Sequence, residues 1–334
     1  MPAKEPVPTS LLHLARQQCG LLSSQQCDAA GVGPSRRRNL VARGGWRHVT
    51  RCVLDTGATP EGLHAYDIER RRAAWTALLA NPRAIAVGCC ALALHGVAGL
   101  PRRIVPEAAL PRGTARKARD GIAFRQYATE QETVEIEGRT VVTVRRALVH
   151  ALPTLSRDEA VACLDSALHQ GLITPGDLRT IRRDLLRRRG SARGIPWLDR
   201  ADGRAESPPE SHARLRAEDA GLAPDDVQRD FFDVRGRFLG RADLAWHLGG
   251  DRWLVVEIDS QAFHGAERQV RRDALRQNDL VGEGRNLVMR FFPGQVTGGD
   301  FAGDVARILD REGWRPDQEL PPRPTRRRPT ARRR

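Results

Sequence analysis

Apolar residues recur along this chain with two periods, and the period changes from one segment to the next. Leu11, Leu12, Leu14 and Ala15 fall on one face of a helix. Ser24 stands where a cap would open a second helix ending near Gly31. Gly33-Pro34-Ser35 predicts a turn, with Ser35 capping a third helix from Arg36 to Arg43 that Gly44-Gly45 stops. Trp46 to Val53 alternates like a strand. Further on, Ile68 to Ala80 reads as a helix ending before Asn81-Pro82, and Ala84 to Leu94 as a buried helix. Ile104-Val105, Ile122 to Phe124, and Val134 to Val144 with a turn at Glu137-Gly138 read as strands. Ser156-Arg-Asp-Glu159 is a capping box that starts a helix to His169. Thr174, followed by Pro175 at the first helical position, caps another through Arg189.

The last third of the chain differs, because acids sit inside its apolar runs. Phe238 to Trp246 and Trp253 to Ile258 are strand-like and are joined by a tight turn at Gly249-Gly250. If Gly249, Gly250 and Asp251 form the loop, Leu248 faces Arg252 and Asp243 falls opposite Glu257. Asp259 then shares their face, whereas a two-residue loop would separate the acids. Carboxylates in such runs are costly unless paired or bound to a metal. Facing acids suit a divalent cation, since Mg²⁺ takes a few carboxylates plus waters and substrate phosphate. Glu210 follows Ser207 at the spacing of a capping box; it serves its own helix, the site, or both. His264 is placed to orient a water or protonate a leaving group, or is a polar loop residue. Arg268, Arg272 and Arg276 lie at helical spacing around Asp273, either to clamp phosphate or as a solvated face. Leu287 to Phe292 is a further buried strand whose central Arg290 is expected to pair with an acid.

These elements predict an α/β multi-domain chain. Residues 10–56 follow the order of a winged helix-turn-helix, in which Arg36, Arg37, Arg38 and Arg43 either contact DNA or form a solvated face. Residues 61–200 form an α/β region whose His95 and His150 are read as core histidines. Gly190 to Ser207 is a linker, and residues 205–315 carry the acids. Residues 316–334 form an Arg/Pro-rich tail expected to be disordered. Charge sharpens this picture. The 334 residues carry 55 Lys and Arg against 41 Asp and Glu, a formal net charge of +14, which favours a phosphate-bearing partner. Arg-rich codon usage accounts for part of the excess. Lys occurs only at Lys4 and Lys117, so the basic residues bind anions better than they transfer protons. The six cysteines make no CxxC pair and read as buried thiols in a reducing cytosol. No apolar run reaches the roughly 20 residues of a membrane span, and Met1 to Ser10 lacks the core of a secretory signal. A cytoplasmic protein without a membrane partner is expected.

Two resemblances follow from these residues. Glu210, Gly240-x-x-Asp243-Leu-Ala-Trp246, Val256-Glu257-x-Asp259, His264, Arg272-Asp273-x-x-Arg276, Leu280 and Val288-x-Arg290-Phe291 resemble a domain-of-unknown-function group related to very-short-patch-repair endonucleases. That group belongs to the restriction-endonuclease-like PD-(D/E)xK superfamily. The resemblance implies a mixed-sheet nuclease fold over about 205–315 and Mg²⁺ or Mn²⁺ held by Asp243 and Glu257. It places Asp259 where many members carry lysine, Glu210 as a helix-borne acid and His264 as an accessory group. Lysine is absent after Lys117, and Ser260 stands where Gly commonly follows the second acid. Residues Ser24 to Val53, Ala84 to Leu100 and Val144-Arg-Arg-Ala-Leu148 resemble the antitoxin of the AbiE type IV toxin–antitoxin system. That resemblance implies promoter DNA and a toxin protein as partners. The reading is therefore a Mg²⁺-dependent DNA endonuclease with a winged-helix DNA-binding region; the alternative is an antitoxin-type regulator with a degenerate nuclease domain.

Overall fold

A computed structural model of the chain describes residues 6–114, 117–127, 132–188, 190–233, 235–259 and 286–323. The chain divides into two compact units. One takes the chain through Cys163 and again Gln170–Arg200; the other takes Leu164–His169 and the chain from Ala201 onward. Both mix helix and sheet, as the sequence predicts for the fold class. Among the described residues no helix is long and apolar enough to cross a membrane.

The first unit opens with α1 (Thr9–Gln17), β1 (Leu21–Ser23), α2 (Ser24–Ala29), α3 (Pro34–Ala42), β2 (Arg47–His48) and β3 (Val53–Asp55). The three strands form one antiparallel sheet in the order β1-β3-β2. Leu11, Ala15, Leu22, Cys27, Val32, Trp46 and Leu54 pack as its core. Local signals lie one or two residues from their expected places. Ser23, not Ser24, caps α2 in a reciprocal box with Gln26. Gly33, not Ser35, precedes α3, because Pro34 takes the first helical position. Trp46 to Val53 is not one strand but bends at Thr50, whose Oγ1 accepts the Cys52 and Val53 amides. Asp55 ties this segment to Arg72 in the fourth helix. It is buried, and it accepts Arg47 Nη2 at 2.7 Å, Arg72 Nη2 at 2.8 Å and the Gly57 amide at 2.9 Å. Burial opposes its charge, but these donors outweigh it and hold the carboxyl below its ordinary range.

The unit continues with α4 (Ala65–Leu79), β4 (Ile85–Ala86), α5 (Gly88–Leu94), β5 (Glu107–Ala109), β6 (Ala123–Arg125), β7 (Thr133–Ile136), β8 (Arg139–Val142), α6 (Val144–Ala151), α7 (Arg157–His169) and α8 (Pro175–Leu186). A five-stranded sheet runs β6-β5-β4-β8-β7, mixed parallel and antiparallel. The single helix expected over Ala84 to Leu94 is split, because Gly88 at φ +53 breaks it into a strand and a helix. The left-handed φ favours glycine at this position, where a Cβ would also displace the Glu107 carboxylate, 2.3 Å away. Ile104-Val105 is not a strand; pairing begins two residues later, at Glu107. The turn at Glu137-Gly138 has φ +51 and +72, the double left-handed pair that joins β7 to β8 tightly. Helix α8 is capped by Thr174 as expected and ends at Leu186. Five cysteines are buried, but Cys52 is exposed.

The second unit holds α9 (Pro208–Asp219), β9 (Asp226–Phe232), β10 (Phe238–His247), β11 (Trp253–Ile258), β12 (Asn286–Phe291), α10 (Pro293–Gly298) and α11 (Phe301–Glu312). Its sheet runs β12-β11-β10-β9, with only the β11–β12 pair parallel. Leu254, Val256 and Ile258 pack with Ala213 and Ala217 of α9 and with Phe301, Val305 and Leu309 of α11. Trp253 and Val255 join a second cluster with Phe231, Leu239 and Ala245. Period-two alternation along β11 thus serves two apolar faces. Asp165, in the last turn of α7, is locked in this unit by Arg214 Nη2 at 2.9 Å, Ser211 Oγ at 2.7 Å and the Asp202 amide at 2.6 Å.

Of the two expected core histidines, His150 is buried and His95 is half-buried. His95 Nε2 lies 2.8 Å from the Val142 carbonyl oxygen. His150 stacks on Tyr127 at 3.9 Å with the rings 7° from parallel, and its Nδ1 has no hydrogen-bond partner. Burial, with Arg188 and Arg146 nearby, lowers its pKa to about 3. Between pH 6.5 and about 3 the unfolded chain takes up a proton that folded His150 refuses. Stability is therefore whole above the ordinary histidine pKa and falls as pH drops through that window. We expect His150→Phe, which keeps the stacked ring, to flatten the acid limb of a urea-unfolding pH series. The difference in slope should reach about 1.4 kcal/mol per pH unit. Parallel limbs for the two proteins would refute the assignment.

Candidate active site

Of the two loop lengths the sequence allows, the three-residue one is observed. Leu248 N donates to Arg252 O at 2.8 Å, and Leu244 pairs with Val256, so the next position sets Asp243 against Glu257. The paired ladder stops there. Ile258 N, which the register would direct to the Ala242 carbonyl, donates instead to Asp243 Oδ2 at 2.7 Å. One carboxylate oxygen thus closes the end of the β10–β11 pairing. On the other side of β11, Asp259 N donates to Phe291 O at 2.9 Å and continues the parallel ladder to β12.

Glu210 enters from the first turn of α9. Pro208 and Pro209 occupy the first two helical positions, and Ser207 is the cap residue. The capping box does not form: Ser207 Oγ donates to Glu210 Oε1 at 2.6 Å, and the amide that reaches Oε2, at 2.8 Å, is that of Glu206. Ser207 makes no cap bond to the helix amides. Glu210 is nonetheless bonded beyond its own helix. Gln228 Nε2 donates to Glu210 Oε2 at 2.9 Å and to Asp243 Oδ1 at 3.0 Å. Of its two anticipated roles, Glu210 does not cap its helix in a box with Ser207, and its outward bonds join it to Asp243 through Gln228.

Electrostatics follow from this packing. Burial raises the Asp243 pKa, the neighbouring Glu210 charge raises it further, and the Ile258 and Gln228 donors only partly offset them, giving about 7. Burial likewise raises Glu210. Glu257 is placed differently. Arg290 stands opposite it in the parallel register and donates to Oε2 through Nη2 at 2.7 Å and Nε at 3.2 Å, as expected for that arginine. Gln228 is the residue sequence reasoning missed. It sits in β9 at φ +54, a left-handed conformation costing about 1–3 kcal/mol for a residue with a Cβ. A glutamine in the mixed run Asp226-Val-Gln-Arg-Asp230 carries no signal of that kind. His264, Arg268, Arg272 and Arg276 lie outside the described residues.

The donors suit a hard cation. Asp243, Glu210 and Glu257 offer only oxygen, and a half-buried acid raised by its acidic neighbour is what a nearby positive charge would relieve. Among the described residues no three His, Cys, Asp or Glu side chains are grouped closely enough to hold a metal by themselves. The fit is thus to an ion that uses one or two carboxylates with water and substrate, not to an all-protein cage.

The N-terminal arginines separate into two sets. Arg37 is turned inward: it pairs with Asp28 and donates to the Val32 carbonyl at 2.9 Å and the Ser24 carbonyl at 3.2 Å. It clamps α2 to α3. Arg38 and Arg43 are exposed, Arg38 touching only Ser35 Oγ at 3.1 Å among the contacts described. Arg36, half-buried, donates to the Pro6 carbonyl at 2.9 Å.

No family model matches the chain. Two uncharacterized proteins of Mycobacterium tuberculosis, one from strain CDC 1551 / Oshkosh and one from strain ATCC 25618 / H37Rv, are each 31% identical over 182 residues. The match covers 53% of this chain and 64% of each relative. The chain thus spans less than two thirds of the length of these curated relatives.

The raised Asp243 pKa gives a direct test. Folded Asp243 keeps its proton up to about pH 7, whereas the unfolded carboxyl loses it near 3.8, so this group's contribution to stability falls as pH rises between those values. In a ¹³C titration of the metal-free protein, the Asp243 carboxyl should titrate near 7 and shift downward in Glu210→Gln. A wild-type midpoint at the ordinary aspartate value would remove the claim that burial and Glu210 control this acid.

Proposed function

We propose that the C-terminal unit is a divalent-cation-dependent DNA endonuclease and that residues 10–56 form a winged helix-turn-helix that holds DNA. The observation that carries the first part is Asp243: a half-buried acid of raised pKa beside Glu210, opposite Glu257, in a chain of net charge +14. A bound cation would polarise the phosphodiester and make a bound water more acidic. The chain's own groups do the rest. Asp243 and Glu257 are the ligands, Arg290 orients Glu257, and Glu210 with Gln228 fixes Asp243. His264 and Arg268, Arg272 and Arg276 keep their anticipated parts as accessory group and phosphate contacts. The DNA-binding reading is supported by the element order α1–β1–α2–α3–β2–β3 with the sheet order β1-β3-β2, and by the exposed Arg38, Arg43, Arg47 and Arg51.

A second reading is an antitoxin-type regulator that keeps the nuclease fold without its activity, with a toxin protein as partner. Two observations favour it: Arg290 already pairs with Glu257, and no lysine follows Lys117. Both readings place the protein in the cytoplasm.

Supercoiled and mismatched plasmid separates them. With Mg²⁺ or Mn²⁺ the wild type should nick or linearise it, and Asp243→Ala/Glu257→Ala should not. No cleavage by either protein, with DNA binding intact in both, would favour the regulator. The winged-helix reading is tested by salt dependence. Arg38→Ala and Arg43→Ala should each weaken DNA binding and reduce the slope of log K against log salt by roughly 0.9. Arg37→Ala should lower stability and leave that slope unchanged. Equal slopes in all three variants would place the DNA surface elsewhere.

A further inference from the structure

One residue in β9 does not follow strand geometry. Gln228 has φ +54, and the register to β10 is the same on both sides of it, with Val227↔Leu244 on one side and Arg229↔Ala242 on the other, while Gln228 itself is left out of the pairing. That register sets Gln228 directly across from Asp243. A left-handed residue interrupts strict alternation and re-aims its side chain, and such backbone persists where the surroundings hold it. The aim has a visible result here. An amide NH₂ carries two protons, and Nε2 gives one to Glu210 Oε2 at 2.9 Å and one to Asp243 Oδ1 at 3.0 Å. Each acid is also fixed from behind by backbone, Glu210 by the Glu206 amide and Asp243 by the Ile258 amide. Gln228 is the single group that links the helix-borne acid to the strand-borne one among the described residues.

The chemical type of the residue is informative. An arginine or lysine here would cancel the charge of the acids it joined. A leucine would leave the two carboxylates to repel each other across an apolar gap. A neutral double donor holds both oxygens at a set spacing and leaves their negative charge available.

We infer that Gln228 is the positioning residue of this site: its amide, aimed by left-handed backbone, presets Glu210 and Asp243 as one acid pair for a divalent cation. The inference rests on the cation-dependent reading of these acids. It makes Gln228 an outer partner of the ligands, of the kind whose loss lowers metal affinity about 10–100-fold.

The test is Mn²⁺ binding to the full chain at one fixed pH, by calorimetry and by the EPR signal of free Mn²⁺, with thermal melts of each metal-free protein. Gln228→Gly removes the amide and suits the backbone conformation. Gln228→Leu removes the amide and keeps the side chain's bulk. Asp243→Asn controls for the site. We expect wild-type binding to be abolished in Asp243→Asn and weakened about 10–100-fold in both Gln228 variants, with Gln228→Gly melting close to the wild type. Should Gln228→Gly fail to fold, Gln228→Leu carries the comparison. Unchanged Mn²⁺ affinity in the Gln228 variants, whatever their melts, would overturn the positioning role while leaving the cation site standing. No Mn²⁺ binding by the wild type would overturn the cation reading and this inference together.

Discussion

The Asp243 carboxylate is where the sheet and the site share atoms. Its Oδ2 receives the Ile258 amide beyond the last β10–β11 pair, and its Oδ1 receives the Gln228 amide from β9. Three strands therefore meet on one side chain. An apolar residue there would leave a buried amide without an acceptor, a loss of about 1–3 kcal/mol. The acid has a structural reason to stay even without chemistry, and this is why its presence alone does not decide between the two proposed readings. The unusual part is the second acid. Glu210 adds repulsion that folding does not need, and the chain tolerates it by enclosing both carboxylates in donors.

What the sequence made legible was set by local chemistry with few solutions. Gly249-Gly250-Asp251 allows a tight three-residue loop, Gly249 and Gly250 adopt φ +91 and +60, and the register of the acids follows from that count. Arg290 in an apolar run had to find an acid, and the parallel register supplies Glu257. The readings that shifted depended on contacts distant in sequence. Ala84 to Leu94 is apolar throughout, so nothing local reveals that Glu107 closes over Gly88 and divides the run. Gln228 was invisible for a related reason. A left-handed strand residue is selected by what its side chain must reach, and both of those partners lie elsewhere in the chain.

Net charge proves a coarse guide to the nucleic-acid surface. Many arginines counted in the +14 serve inside the fold: Arg37 on Asp28, Arg72 on Asp55, Arg214 on Asp165, Arg290 on Glu257. Arg214 and Asp165 are both almost fully buried, and a pair of that kind acts by excluding mispacked alternatives at least as much as by adding stability. The arginines free to meet phosphate are those whose geometry leaves them exposed, so composition overstates the binding face and position defines it.

The Arg290–Glu257 pair bears on both functional readings and resolves less against the enzyme than it first suggests. Both arginine nitrogens fall on one oxygen, Oε2. A two-oxygen fork would occupy the carboxylate; contact at one oxygen leaves the lone pairs of Oε1 outside the ion pair. A guanidinium so placed fixes the direction of the acid as much as it offsets its charge. It also changes the balance of the cluster, since among the described contacts Asp243 and Glu210 have no cationic partner. Those are the two acids that the Gln228 amide joins, and the ones whose repulsion a cation would relieve. Orientation by arginine on one strand and by a neutral amide on another is a division that an oxygen-ligand site can use, because each acid is held without all of its oxygens being engaged.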